Sequence, residues 1–256
     1  MIPNKFHYVY LTHDNNKHPM YQKFHLLHYL CIKSAIEVNN PDEVNVYCNQ
    51  EPKGEWWKKI RNEVNVVIIE PPTEIFGLPI TELAHMSDVI RLQVLLEEGG
   101  IYTDMDTISV KPYGDLLNNK FVLGQQGVGG SEGLCPAVIM SEKDSHFGKQ
   151  WLYGFKDTFK GGPPGSDGWC THSVYYPLHL AKSISEHIHI EPHTSFFHPT
   201  YHQPSLKDMF EKVVNFDKAY SHHLWETASM KWIENITVKE IKNNDTTFNL
   251  IARKYL

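Results

Sequence analysis

The sequence predicts an α/β protein with a mostly parallel central sheet flanked by helices, and three observations carry that prediction. Residues 5–69 alternate strand-like and helix-like stretches in the order strand, helix, strand, helix, strand, which calls for parallel strands joined by right-handed crossovers. Residues 86–98 carry Met86, Val89, Ile90, Leu92, Val94, Leu95 and Leu96, too many apolar positions for a narrow stripe, so this helix belongs largely inside. The chain has 256 residues, 41% of them hydrophobic, enough to bury a full core.

Taken in order, Lys5–Leu11 is a first strand of aromatic and β-branched residues. A polar loop over 12–18 follows at its carboxyl end, the edge where open α/β sheets bind ligands. Pro19 opens an amphipathic helix to Val38, with Phe24, Leu27, Leu30, Cys31 and Ala35 at helical spacing and Asn39-Asn40-Pro41 to end it. Residues 44–48 are a second strand, 54–61 a short helix with Trp56 and Trp57, and 64–69 a buried third strand. No Gly-x-Gly-x-x-Gly or phosphate-binding glycine loop occurs here, which weakens a dinucleotide or nucleoside-triphosphate reading.

Pro71-Pro72 to Pro79 is a rigid connection to the long helix. Past residue 106 the chain stays extended to Val110, turns at Lys111-Pro112-Tyr113, and forms a strand over 121–126. Residues 127–133 are a glycine-rich loop, either a working element or an ordinary hairpin connection. A strand over 137–141, an aromatic-rich helix over 145–159 and a loop over 161–165 come next. Residues 169–183 read as a helix that Pro177 bends or interrupts, and 187–191 as a strand. The histidines between 172 and 202 repeat no ligand spacing and read as scattered core or surface residues. The tail from Lys231 is an amphipathic, helical cap.

The formal net charge of -6 argues against a nucleic-acid partner, which needs a basic face. No run of about 18 apolar residues exists to span a membrane. The N-terminus begins at once with a strand-like pattern and lacks a signal-peptide apolar region. The expectation is a cytoplasmic protein, or a catalytic domain excised from a Golgi or ER type II membrane protein. Cys31, Cys48, Cys135 and Cys170 are widely spaced and fit buried free thiols better than a zinc site or a disulfide framework. The sequons at Asn235 and Asn244 carry little weight in an asparagine-rich sequence.

Chemistry concentrates in residues 85–112. Gly99-Gly100 ends the helix, because glycine takes left-handed conformations freely. Strand alternation after it puts Tyr102, Asp104 and Asp106 on one side. Two carboxylates one residue apart at the end of a core strand make a hard, oxygen-rich site suited to Mn²⁺ or Mg²⁺ shared with phosphate oxygens. Asp88 and Arg91, three apart, are neighbours on one face of the buried helix. A buried ion pair stabilises less than apolar packing would, which favours a functional role over a structural one.

From Ser87 to Asp106 the pattern is Ser-Asp-x-x-Arg-x-x-x-Leu-x-x-x-Gly-Gly-x-Tyr-x-Asp-x-Asp. It resembles the glycosyltransferase family named for its sugar-binding region with an Asp-x-Asp motif. The likeness is close over 85–112 and looser from Ile2 to Trp225. It implies a GT-A-like nucleotide-diphospho-sugar transferase fold in a single catalytic domain over 1–256. Residues 1–110 would be its nucleotide-binding half, 111–230 its donor and acceptor half, and 231–256 a C-terminal cap. It also implies a retaining, metal-dependent hexosyltransferase with a UDP-sugar donor and a glycan, lipid or protein acceptor.

By that resemblance Asp104 and Asp106 hold the ion, and Asp88 and Arg91 contact the donor sugar, with Arg91 also within reach of phosphate. Tyr10 stands where relatives carry an aromatic against the nucleotide base, although a core-edge tyrosine explains it equally. Tyr102 joins the substrate-binding set. Ala219–Trp225 resembles the family's His-x-Trp element, whose histidine returns to the metal. His223 aligns with it, and His222 would face the opposite way on a strand. Pro136 departs from the asparagine that the family often carries on the sugar side. The loop over 127–133 becomes a candidate acceptor or lid element.

Retention needs a double displacement or a same-face substitution within an ion pair. Gln125 and Gln126 lie downstream, but nothing in the sequence marks either as a nucleophile. Two other readings stay open: a catalytically silent nucleotide-sugar binder, and a nucleotidyltransferase or phosphatase using the same carboxylates.

Overall fold

A seven-stranded sheet runs through the computed structural model, which describes residues 1–12 and 23–256. Strands β1 (Lys5–Tyr10), β2 (Glu43–Cys48) and β3 (Asn65–Ile68) pair in parallel, joined by α1 (Leu26–Asn39) and α2 (Glu55–Ile60). This is the crossover pattern expected from the sequence. The expected polar loop over 12–18 and the helix start at Pro19 fall mostly at residues 13–22, outside the described residues. The first helix in the described residues begins at Leu26. The rigid connection carries a small antiparallel pair, β4 (Glu74–Ile75) and β5 (Leu78–Pro79).

Helix α3 (Leu83–Glu98) leads into β6 (Gly100–Thr103), which lies parallel beside β1. Gly99 and Gly100 have φ of 71° and 115°, and a side chain on Gly100 would meet the His7 ring and the Lys5 carbonyl at 2.7 Å. Glycine is therefore required where helix and strand meet so closely. The strand ends at Thr103 rather than running to Asp106. The Asp104 N–H still donates to the Ala137 carbonyl, but Thr107 N–H closes a turn onto the Asp104 carbonyl. A turn, not strand alternation, thus sets the direction of the two aspartates.

Beyond that turn, β7 (Thr107–Ser109) leaves the main sheet and pairs antiparallel with β11 (Ser221–His223). Strands β8 (Phe121–Gln126), β9 (Gly133–Ser141) and β10 (His189–Glu191) complete the sheet in the order β10-β8-β9-β6-β1-β2-β3. Strand β9 is antiparallel to both neighbours, and it begins four residues before the expected strand at Ala137. It extends because residues 133–135 pair with Gly124–Gln126 across an irregularity at Leu123/Gly124.

Alternation along β1 splits the core. Phe6, Tyr8 and Tyr10 face one side with α1, while Val9 faces the other with α3 and α4 (His146–Thr158). The expected helix over 169–183 is two pieces, a π-helical turn at Thr171–Tyr175 and α5 (Tyr176–Ser183). The break falls at Tyr175/Tyr176, just before Pro177, which stands in the first turn of α5, where its missing N–H costs least. Short helices follow, α6 (His193–Phe196) and α7 (Gln203–Phe210). The tail forms α8 (Glu226–Ile233), α9 (Val238–Asn243) and α10 (Thr247–Ala252). It is more than a cover: Ile241, Phe248, Ala252 and Tyr255 join the same core cluster as Phe6, and the Tyr255 hydroxyl donates to the Ser109 carbonyl at 3.1 Å.

Candidate active site

A cavity of about 610 Å³ opens at the carboxyl ends of β1 and β6, and Tyr10, Asp88, Arg91, Tyr102, Asp104, Asp106 and His223 all line it. Sheet pairing brings the last of these to the others. His223 stands opposite Thr107 in the β7–β11 pair, so its Nε2 lies 3.1 Å from Asp106 Oδ1 and 3.8 Å from Asp104 Oδ2. His222 faces away and sits 2.5 Å through Nδ1 from the His198 carbonyl.

Each carboxylate keeps one oxygen for the common point and spends the other on a neighbour. Asp104 Oδ1 accepts from the Tyr102 hydroxyl at 2.6 Å. Asp106 Oδ2 accepts from the Glu226 backbone N–H at 2.7 Å, at the start of α8, where partial positive charge favours an anion. The ligating atoms of Asp104, Asp106 and His223 lie within 4.8 Å of one another. Two hard oxygens and one imidazole nitrogen so placed fit a divalent ion such as Mn²⁺ or Mg²⁺, with room left for further oxygen ligands. Burial disfavours charge on both partners, but their pairing prevails. His223 is held well above its ordinary pKa by Asp106, and Asp106 below its own by His223.

Arg91 is locked on every side. Its Nε donates to the Ser87 carbonyl at 3.1 Å and its Nη1 to the Pro136 carbonyl at 2.8 Å. Asp88 and Asp104 each approach a guanidinium nitrogen at 3.3 Å, and the guanidinium carbon sits 4.5 Å from the Tyr102 ring centre. Asp88 is held from its other side by His172, whose Nε2 donates to Oδ2 at 3.0 Å. Burial pushes the Asp88 pKa up, but the Arg91 charge and the His172 hydrogen bond outweigh it, so it lies below the usual carboxylate range. Spacing in the sequence gives no sign of the His172 contact, which depends on the π-helical turn. Tyr10 packs with the rings of Phe24 and His28 at 6.1 and 5.8 Å, with its hydroxyl buried.

Two further donor groups flank the site, His25 with His28 and Glu226, and His85 with Asp88 and His172. No helix among the described residues is long and apolar enough to cross a membrane.

Comparison with known proteins places the chain among glycosyltransferases. The model of a family described as a glycosyltransferase sugar-binding region containing a DXD motif matches residues 4–123. Glucan organizing enzyme 1 of Cryptococcus neoformans var. grubii is 30% identical over 266 residues, covering all of this chain and 71% of that protein. Among solved structures, the PaToxG glycosyltransferase is similar with a TM-score of 0.52 and 13% identity, over 99% of this chain and 87% of its own. The apo form of the glycosyltransferase GlyE of Streptococcus pneumoniae has a TM-score of 0.57 and 12% identity, over 99% of this chain and 60% of its own. The two structures share a fold with this chain.

Proposed function

The chain belongs to the family of glycosyltransferases whose sugar-binding region contains a DXD motif, and from that membership we propose a metal-dependent, retaining hexosyltransferase that uses a UDP-linked donor. One observation carries this reading: Asp104, Asp106 and His223 converge in the same cavity as the Asp88–Arg91 pair.

Asp104, Asp106 and His223 would hold the divalent ion. When bound, that ion supplies positive charge to offset the charge developing on the departing diphosphate. The chain's own residues do the rest. Tyr102 and the Glu226 N–H keep the two carboxylates aimed at one point. Asp88, fixed by Arg91 and His172, offers acceptor oxygens to sugar hydroxyls without having to reorganise. Arg91 adds a fixed guanidinium near the phosphates, and Tyr10 a ring for the base. The name of the fungal relative, a glucan organizing enzyme, supports a carbohydrate-related reaction. Four unpaired thiols support a reducing compartment.

The test is to incubate the protein with Mn²⁺ and a panel of nucleotide sugars and measure the nucleoside diphosphate released. Turnover of a UDP-sugar, lost on Asp106→Ala, is the expected result. Release of nucleoside monophosphate or pyrophosphate instead would point to phosphoryl or nucleotidyl transfer. Silence across the panel, with no donor-induced rise in Tm, would sink the transferase reading. Anomeric configuration of the product, read by NMR, decides retention.

A further inference from the structure

The cavity lining continues past the residues assigned above, through Gln126 and Trp225, towards a rim with a distinct composition. Gln126 Nε2 donates to Glu132 Oε2 at 3.3 Å, and Glu132 Oε1 lies 3.3 Å from His202 Nε2. Tyr201 packs edge-on to Trp225 with ring centres 5.4 Å apart, and against His202 at 4.2 Å. Tyr175 follows Val174, which lines the cavity and whose carbonyl would meet a side chain on Gly133 at 2.6 Å, at the end of the glycine-rich loop. Tyr201 is 37% exposed and Tyr175 is 56% exposed.

Exposed rings beside fixed hydrogen-bonding groups meet the two needs of a sugar. Its C–H face packs on a ring, and its hydroxyls require partners of both kinds. An alkyl chain would need a dry channel, which Glu132, His202 and Gln126 interrupt. The glycine-rich loop over 127–133 carries Glu132. A side chain on Gly127 would come within 2.8 Å of the Glu132 side chain, so a larger residue there would crowd that carboxylate.

Resting on the transferase reading, we propose that this rim of Trp225, Tyr201, Tyr175 and Glu132 is the acceptor subsite, and that it takes a carbohydrate chain. The reactive end of the acceptor would enter beside Gln126 and Trp225, with preceding residues laid over Tyr201 and Tyr175.

The experiment uses α- and β-linked hexose oligosaccharides, tested as acceptors and, separately, as ligands in calorimetric titrations. Tyr201→Ala and Tyr175→Ala, both at exposed positions, should keep the wild-type melting temperature. Each should raise the acceptor KM and oligosaccharide Kd by roughly tenfold, a loss of one ring contact, with the donor KM moving far less. Glu132→Gln should raise the acceptor KM without changing the fold. Unchanged acceptor KM and Kd in these variants, or transfer only to a peptide or a glycolipid, would overturn the proposal. If the wild type turns over no donor, the titration still decides. Oligosaccharide binding that Tyr201→Ala weakens keeps the rim as a glycan site, and absence of binding removes it.

Discussion

At the scale of single residues, the chain spends stability on buried polar groups. His172 is fully buried among Phe155, Phe159 and His85, with ring centres 4.8 to 4.9 Å away, and its side chain hydrogen-bonds to Asp88. Replacing His172 with Phe should keep the aromatic packing and leave Asp88 Oδ2 unpaired. The expected cost is about 1–3 kcal/mol, seen as a lower urea midpoint at unchanged m-value. His7 gives a pH test away from Asp104, Asp106 and His223. It donates through Nε2 to the Gly99 carbonyl at 2.8 Å, and burial lowers its pKa from 6.5. The folded state therefore binds its proton less readily than the unfolded chain. Stability from this residue is complete above pH 6.5 and declines as pH falls from there towards the folded value. In His7→Gln the fall in urea midpoint between pH 7 and pH 5 should be smaller.

At the scale of elements, the α3–β6 junction was the most legible part of the sequence, because a long apolar helix, two glycines and a short strand are consecutive. Gly100→Ala should destabilise by at least about 2 kcal/mol, since φ of 115° excludes a side chain and the Lys5 carbonyl lies 2.7 Å from where it would sit. Circular dichroism melts would check it. Parallel β1–β3 with their crossover helices were readable for the same local reason. The β7–β11 pair was not: which residue faces Thr107 across more than a hundred residues is set by packing, and no local pattern encodes it. Resemblance pointed to His223, and the pairing supplies the geometry. The early end of β6 escaped the alternation rule because Thr107 turns back onto Asp104. His172 was hidden among many histidines, and only the π-helical turn at Thr171–Tyr175 gives its ring a distinct place.

At the scale of the molecule, the tail and the site are mechanically joined. Phe248 is fully buried in the core cluster shared with β1, and Tyr255 reaches the Ser109 carbonyl on β7, next to the Asp106 turn. Phe248→Ala should cost about 3–5 kcal/mol in thermal or urea unfolding, despite its distance from Asp104 and Asp106 in the sequence. Mn²⁺ should raise the melting temperature. A concentration of 100 times Kd adds about 2.7 kcal/mol if only the folded state binds, and Asp106→Ala should abolish the rise. The same pairing of distant strands has a consequence for how the protein is made. Asp106 and His223 leave the ribosome 117 positions apart. At about 5–20 residues per second that interval is roughly 6–23 s. Throughout it the nascent chain carries both aspartates without their histidine or the Glu226 amide. The acidic turn therefore waits without its partners until β11 and the start of α8 have been made, and on the proposed reading an ion could be held there only after that point.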